Sequence, residues 1–343
     1  MAKAEERIES IYNIKNFLVK DKLLPIYFLF GEDEFAIDKA IDLIKNKLSE
    51  YVLSEFDIEI IDSTNNIGLN SIIDLANAFP LGGGKKIIII KDFEKDSTSK
   101  ELLDYIVNPS EFTFLIISQK TKKVDLREKL FQLLIEKGYL FEARSMNRRE
   151  LVNWVISTAA KYDMKITQQN AEVLIDFAGN DKSILSMNLL KFSNLLVNNG
   201  EITIEVIENL GSSGKEYTGL NLLNAIINNN KSEALEIADL LFDKTDDKSI
   251  LGILGLLTRF VSTAAKIIQL ESEKINVYEA SKRAGVSSYF YENCKKAVHF
   301  RNPANLKVAI DALLEAETSI KTSSLDSKTI MMTLIARMIP KQF

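Results

Sequence analysis

Short apolar runs alternate with helical patterns through the first 145 or so residues, and this alternation constrains the fold more than any other feature. Several runs are apolar at every position, as strands covered by helices on both faces must be. Because a repeated strand, helix, strand order brings successive strands together in parallel, the pattern predicts an α/β fold with a three-layer sheet. The predicted strands are residues 26–30, 58–61, 87–90, 112–117 and 139–141, and the helices between them are 35–48, 69–78, 100–107 and 125–136.

After Arg144 the strand signal stops and helical patterns continue to the end of the chain. Residues that favour helix N-caps stand before several apolar stretches, which predicts where those helices begin. The predicted caps are Thr167, Asp181, Thr203, Asp247, Ser287 and Asn302, the last followed by Pro303. A length of 343 residues suggests two or three domains. We predict a sheet domain over 1–145, a small helical domain over 146–213 and an all-α domain over 214–343.

Composition excludes several classes of protein. The chain carries 43 Lys and Arg against 48 Asp and Glu, a net charge of -5, which argues against a generally basic surface for nucleic acid or membranes. Cys294 and His299 are the single residues of their types, so neither an intramolecular disulfide nor a structural zinc site is expected. No apolar run approaches 18 uninterrupted residues. We therefore expect a cytoplasmic protein that does not span a membrane.

The loop after the first strand stands where nucleotide-binding α/β folds bind phosphate. That chemistry needs a glycine-rich run, then Lys and Ser or Thr before a helix. Here Gly31 is followed by Glu32, Asp33 and Glu34, whose carboxylates occupy the positive end of the next helix and would repel ATP. An ordinary acid-rich first turn explains the same residues, and neither interpretation leaves a working phosphate loop.

A second glycine run, Gly82 to Gly84 followed by Lys85 and Lys86, superficially resembles a phosphate loop. It precedes a strand instead of opening a helix, and no Ser or Thr follows, so we interpret it as a flexible loop. After the strand 87–90 the chain reads Lys91, Asp92, Phe93, Glu94, which does not supply the paired acids of an ATPase. The residues describe a hydrolase-like sheet without catalytic parts or a cofactor, and hence a mechanical or assembly role.

Three stretches in this order resemble a known family: 25–35 (PIYFLFGEDEF), 180–191 (beginning NDKSIL) and 284–321 (beginning AGV). With their spacing they span nearly the whole chain, and the combination is similar to the delta subunits of the bacterial DNA polymerase III clamp loader. Zinc-bearing loader subunits, which carry four cysteines, are excluded by the single cysteine of this chain.

The resemblance implies an AAA+-like sheet domain that does not hydrolyse ATP, a helical lid and a C-terminal helical collar. The collar would pack with other loader subunits in a five-membered ring. The implied activity is to bind the sliding clamp, the beta subunit, and to open its ring for loading onto primed DNA. The chain would have no catalytic site of its own, although it would belong to a DNA polymerase holoenzyme.

In the family, the clamp-binding element follows a helix and precedes a strand as a Pro-Leu-Phe-like sequence. The matching residues here are Phe79, Pro80 and Leu81, with Gly82 where a large apolar residue is usual. Exposed apolar side chains on a surface loop favour binding to a partner. The alternative is that Phe79 and Leu81 fold back onto the sheet.

Basic residues gather in two clusters of an otherwise acidic chain. Candidate contacts to DNA phosphates are Lys120, Lys122, Lys123, Arg127, Arg148 and Arg149, with Lys129 and Arg144 nearby. No interleaved aromatic residues provide a stacking surface, so solvated loop charge is the default interpretation of the clusters. Two other functions stay open: an active AAA+ ATPase with an unusual phosphate loop, and a helical adaptor unrelated to clamps.

Overall fold

The computed structural model describes residues 8–62, 68–93, 99–121, 124–196, 200–208, 218–243 and 247–339. The chain divides into two compact units, residues 1–147 and 148–343. Within the described residues, every named strand lies in the first unit, and the named elements of the second unit are all helices.

Six parallel strands form one sheet in the first unit. They are β1 (Glu9–Ser10), β2 (Ile26–Gly31), β3 (Ile58–Asp62), β4 (Lys86–Lys91), β5 (Thr113–Lys120) and β6 (Leu140–Ala143). From one edge of the sheet to the other their order is β1, β6, β2, β5, β4, β3, and each neighbouring pair is parallel. β2 is buried at every position, as its unbroken apolar sequence predicts.

Helices cover both faces of this sheet. They are α1 (Glu34–Leu48), α2 (Leu69–Asn77), α3 (Lys100–Val107) and α4 (Lys129–Lys137). On one face α1 and the 3-10 helix Ile11–Phe17 pack over alternate strand residues such as Tyr27 and Leu29. On the other face α2, α3 and α4 pack over the intervening residues, among them Phe28 and Phe30. The predicted three-layer α/β fold is confirmed.

Two boundaries differ from the sequence prediction. β5 continues to Lys120 although its last residues are polar, because it is a central strand whose end pairs with the end of β2, Gly31 opposite Lys120. α4 begins at Lys129 and not near Asp125, because Asp125 instead forms a turn. Its carboxylate accepts the Arg127 N–H at 3.0 Å, and its carbonyl accepts the Glu128 N–H at 3.0 Å.

The described part of the second unit is built from helices. They are α5 (Arg148–Ala160), α6 (Gln168–Ala178), α7 (Lys182–Leu195), α8 (Ile204–Glu208), α9 (Gly219–Ile227), α10 (Lys231–Phe242), α11 (Asp247–Glu271), α12 (Val277–Ala284), α13 (Ser288–Lys295), α14 (Pro303–Thr322) and α15 (Ser327–Met338). Five predicted N-caps are confirmed, since the side chains of Thr167, Asp181, Thr203, Ser287 and Asn302 each accept backbone N–H groups of the first turn. The predicted division of this part into domains 146–213 and 214–343 stays a prediction.

Helix α11 is the longest of the described helices and lies in the main apolar core of the second unit. Residues 250–271, with a mean hydropathy of 1.5, are long and apolar enough to cross a membrane by length and composition alone. Half of that stretch is buried inside the unit, and Phe260 packs edge-on against Phe300 with ring centroids 5.4 Å apart. The core helix of a folded domain has the same composition.

A fully buried carboxylate joins four helices of the second unit. Asp176 of α6 accepts from Arg148 Nη2 at 2.7 Å and from Arg259 Nη1 at 3.4 Å. Its other oxygen accepts the backbone N–H of Ser287, the N-cap of α13, at 2.7 Å. Burial lowers the pKa of Arg259, and the charge of Asp176 opposes that shift. The cluster therefore satisfies charges that would otherwise be buried alone.

Candidate functional site

The loop between α2 and β4 carries the three residues predicted to bind a partner. The side chain of Phe79 is 74% exposed and that of Leu81 is 84% exposed, while Pro80 is half-buried. The Phe79 ring packs against the ring of Phe112, which precedes β5, with centroids 4.9 Å apart. We call residues 79–81 the tip. The tip side chains point outward and do not fold back into the core.

Two buried side chains fix the base of the tip by bonding the last carbonyls of α2. Lys86, 6% exposed at the start of β4, donates from Nζ to the Leu75 carbonyl at 2.9 Å. Thr113, at the start of β5, donates from Oγ1 to the Ala76 carbonyl at 2.7 Å. The Leu75 carbonyl also accepts the Ala78 N–H at 3.3 Å, and the two side-chain donors tie the helix end to two strands.

A third buried group holds the tip backbone itself. Asp57 is 4% exposed, and its carboxylate accepts the Leu81 N–H at 2.7 Å and the Gly82 N–H at 2.9 Å. A carboxylate that accepts two N–H groups makes strong, charge-assisted hydrogen bonds. The sequence predicted a flexible loop here and gave no sign of this contact, because Asp57 lies 24 positions before Leu81 in the chain.

Gly82 has a steric reason to lack a side chain. A Cβ atom there would lie 2.5 Å from Ser54 Cβ and 3.2 Å from Asp57 Oδ2. The segment that contains Ser54 and Asp57 thus approaches the loop too closely for the large apolar residue that the family resemblance led us to expect.

The acid-rich loop after β2 is occupied by contacts within the chain. Asp33 is the N-cap of α1, and its Oδ1 accepts the Ala36 N–H at 3.0 Å. Glu32 accepts a hydrogen bond from Ser145 Oγ at 2.6 Å. A Cβ at Gly31 would lie 2.1 Å from the carbonyl oxygen of Ala143 in β6, so the glycine allows two strands to approach closely.

Lys120 ends β5 at the same edge of the sheet and lies among carboxylates. Its Nζ is 3.7 Å from Glu34 Oε2 and 3.5 Å from Asp92 Oδ1. Desolvation lowers the pKa of Lys120, but the charges of Asp38, Asp92 and Glu34 outweigh it and raise the pKa above its ordinary value. Much of the charge predicted to meet DNA is therefore balanced locally.

The other predicted phosphate contacts are divided between the two compact units. Arg127 is exposed and pairs with Asp125 at 2.9 Å, Arg148 is paired with the buried Asp176, and Arg149 is exposed on α5. Lys122 and Lys123 lie outside the described residues. Arg127 belongs to the first compact unit and Arg148 and Arg149 to the second. Nothing in the described residues tests contact with DNA.

The cysteine, the histidine and the acidic residues of the described ranges are further possible ligands or catalytic groups. Among the described residues no group of three His, Cys, Asp or Glu side chains is placed to hold a metal ion. Cys294 is 2% exposed on α13, and burial raises the pKa of its thiol. His299 lies in the 3-10 helix Val298–Arg301, and its Nε2 is buried without a hydrogen-bond partner among the described residues.

Comparison with known proteins supports the resemblance found in the sequence. The family described as DNA polymerase III, delta subunit, matches residues 27–144, and the family described as DNA polymerase III delta subunit, C-terminal domain, matches residues 216–338. DNA polymerase III subunit delta of Bacillus subtilis is 22% identical over 262 residues, which cover 73% of this chain and 75% of that protein.

A solved structure shares the fold of the whole chain. The Bacillus subtilis DNA clamp loader delta protein superposes with a TM-score of 0.55 at 19% identity, covering 96% of this chain and 99% of that one. The two family matches together span most of the chain and include both the sheet and the C-terminal helices. The chain therefore belongs to the DNA polymerase III delta-subunit family.

Proposed function

We propose that this delta subunit binds the sliding clamp through Phe79, Pro80 and Leu81 and opens the clamp ring for loading onto primed DNA. The observation that carries the proposal is a pair of exposed apolar side chains on a loop whose backbone is held by Asp57. Burying each of them in a partner contributes roughly 1.5–3 kcal/mol before ordering costs. The buried hydrogen bonds reduce those costs, because the loop is already shaped before it binds.

The decisive measurement is the affinity of the purified protein for its own clamp. The double substitution Phe79→Asp and Leu81→Asp should weaken binding at least about a hundredfold, because it places two charges in an apolar contact. A matched control, Val19→Asp with Tyr278→Asp, adds the same charge at two residues outside the tip that are 54% and 71% exposed. Equal affinity of the tip variant and the wild type, both folded, would refute the assignment of the tip.

Ring opening is tested separately from binding. A subunit that binds the open ring more tightly than the closed ring shifts the clamp towards the open form. Release of a closed clamp from nicked circular DNA should therefore accelerate when the isolated subunit is added without ATP. Binding without faster release would restrict the role to docking.

Catalysis by this chain is not part of the proposal. The first N–H groups of α1 face Asp33, and the neighbouring acids Glu32 and Glu34 would repel phosphates. Equilibrium titration with labelled ATP should give no saturable binding. Saturable binding would favour the alternative of an active AAA+ ATPase, whereas failure to capture the clamp would favour an adaptor unrelated to clamps.

The remaining loader subunits are proposed partners of residues 214–343, in a five-membered ring. Helix α14 exposes Ile310 and Leu314, four residues apart on one face, at 45% and 66%. Exposed apolar side chains grouped in this way are typical of an interface. Ile310→Glu with Leu314→Glu should prevent assembly of the loader while leaving binding to the free clamp intact. Cytoplasmic location, which such partners require, stays a prediction.

We also propose that exposed basic side chains contact the phosphates of primed DNA. Because Lys120, Arg127 and Arg148 pair with carboxylates, the exposed Lys129 and Arg149 are the better candidates. If they contact phosphates, Lys129→Ala and Arg149→Ala should each lower the salt dependence of binding by the assembled loader by about one released ion. An unchanged salt dependence would leave these residues as solvated surface charge.

A further inference from the structure

We propose that a second segment, residues 53–56, completes the docking surface for the clamp, with Leu53 and Phe56 supplying the apolar contact that Gly82 cannot make. The proposal rests on the proposed function, because it assigns the same partner to a surface that continues from the tip. It also assigns Asp57 as the positioning residue that holds the segment and the tip in one arrangement.

The two segments lie side by side at the amino-terminal edge of the sheet. Val52 forms an antiparallel bridge with Gly84, and the Lys85 N–H donates to the Tyr51 carbonyl at 3.0 Å. Leu53 then lies over the glycines of the loop, since a Cβ at Gly84 would be 3.1 Å from Leu53 Cγ. Segment 53–56 and the tip thus form one continuous surface.

The exposed side chains of segment 53–56 have the character of anchors. Leu53 is 74% exposed and Phe56 is 83% exposed, values close to those of Phe79 and Leu81. A short turn presents Phe56 outward: Ser54 Oγ accepts the Phe56 N–H at 3.3 Å, and the Ser54 carbonyl accepts the Asp57 N–H at 3.0 Å. Four large apolar side chains exposed on two adjoining segments exceed the scattered exposure that a surface normally shows.

Asp57 connects both halves of this surface. It ends the turn that presents Phe56, and its buried carboxylate accepts the N–H groups of Leu81 and Gly82. Ser54 occupies the space that a side chain at position 82 would need. The large apolar residue usual at position 82 in the family and segment 53–56 therefore exclude each other, and Phe56 and Leu53 take over the role of that residue.

The partner that fits is the apolar cleft of the clamp that receives the tip. Phe79 and Leu81 would enter the cleft, and Leu53 and Phe56 would cover its rim and exclude water from the contact. A second copy of this chain is the other occupant that an exposed apolar surface attracts. The test separates the two.

The test compares clamp affinity for three folded variants of the full chain. Leu53→Ser with Phe56→Ser should weaken binding about tenfold or more, while the control Val19→Ser with Val107→Ser, which removes exposed apolar side chains elsewhere in the first unit, should not. Phe79→Asp with Leu81→Asp reports on the proposed function itself. Loss with the tip variant but none with Leu53→Ser and Phe56→Ser overturns this inference and leaves the proposed function standing; no binding by the wild type overturns both.

Asp57 is tested by a substitution that keeps its shape. Asn at position 57 can accept only one of the two N–H groups, so Asp57→Asn should weaken clamp binding several-fold and speed hydrogen exchange at Leu81 and Gly82 relative to β4. Faster exchange at unchanged affinity would overturn the positioning role.

Sedimentation of the wild type tests whether a second copy of the chain occupies the surface instead. Self-association that Leu53→Ser and Phe56→Ser abolish, at unchanged clamp affinity, would assign the segment to a dimer and overturn the inference.

Discussion

At the scale of single residues, Gly82 shows how a missing side chain identifies a contact. Gly82 does not adopt a positive φ angle. The position needs a glycine because a side chain would clash with Ser54, and not because of its backbone conformation. The residue that needs the space, Ser54, lies 28 positions earlier, and nothing in the sequence marks the two as neighbours. A residue that departs from a family motif can therefore indicate that a different contact has replaced the usual one.

Gly82→Ala should destabilise the protein by about 1–3 kcal/mol, because its Cβ would overlap that of Ser54. Adding Ser54→Gly removes the nearest clashing atom and should recover part of the loss. Urea denaturation of the two single variants and the double variant gives the coupling free energy between the sites. Strictly additive effects would contradict the contact.

His299 is expected to make stability depend on pH. Burial lowers its pKa below the ordinary 6.5, so the folded state binds a proton less readily than the unfolded state. The contribution of the neutral His299 side chain to the free energy of unfolding is therefore fully present above about pH 6.5. It is lost as the pH falls from there through the pKa of the folded state. The difference in unfolding free energy between the wild type and His299→Gln should follow this course, at up to about 1.4 kcal/mol per pH unit. A difference that is flat from pH 7 to pH 5 would contradict it.

At the scale of elements, the apolar runs predicted the buried strands because a covered parallel strand must be apolar on both faces. The pattern does not reveal β1, since two residues carry no periodicity. The pattern correctly placed Phe79, Pro80 and Leu81 between a helix and a strand. It did not identify Asp57, Lys86 and Thr113 as the residues that hold this loop. Those three act through the crossing of separate segments, which a local pattern does not record.

The end of α2 should depend on Lys86 more than its place in a strand suggests. Lys86→Met keeps the apolar stem but removes the donor to the Leu75 carbonyl, which should cost about 1–3 kcal/mol of unfolding free energy. Lys85→Met, at the neighbouring and more exposed position, is the matched control, although it loses a bond to the Glu111 carbonyl. Chemical denaturation checks the expectation, and equal losses for the two variants would contradict it.

At the scale of the whole molecule, the proposed clamp contacts and the loop where nucleotide-binding α/β folds bind phosphate lie at opposite ends of the strands of one sheet. The tip lies at the amino-terminal ends of β4 and β5, whereas Gly31, Asp92 and Lys120 lie where their strands end. Ligands of open α/β sheets bind outside the carboxyl ends of the strands. The tip lies at the amino-terminal ends, where such ligands do not bind. The order of strands and helices in the sequence predicted both locations. It did not predict which residues form the hydrogen bonds and ion pairs there.

Asp176 should be much more sensitive to substitution than a residue of an exposed ion pair. Asp176→Asn removes the charge that balances the buried Arg259 and should lower stability by about 3–5 kcal/mol. Arg127→Ala, which breaks an exposed pair with Asp125, should cost no more than about 1 kcal/mol. Thermal unfolding compares the two, and a similar melting temperature for both variants would contradict the importance of the buried cluster.

The burial of Cys294 has a practical consequence for every binding experiment on this subunit. A thiol that is enclosed and whose pKa is raised reacts slowly with maleimides and similar reagents, so the natural chain already serves as an unreactive background. A fluorophore attached through Glu55→Cys would then occupy one defined position on the rim of the docking surface. Its emission would report directly on whether that rim is covered when the clamp arrives.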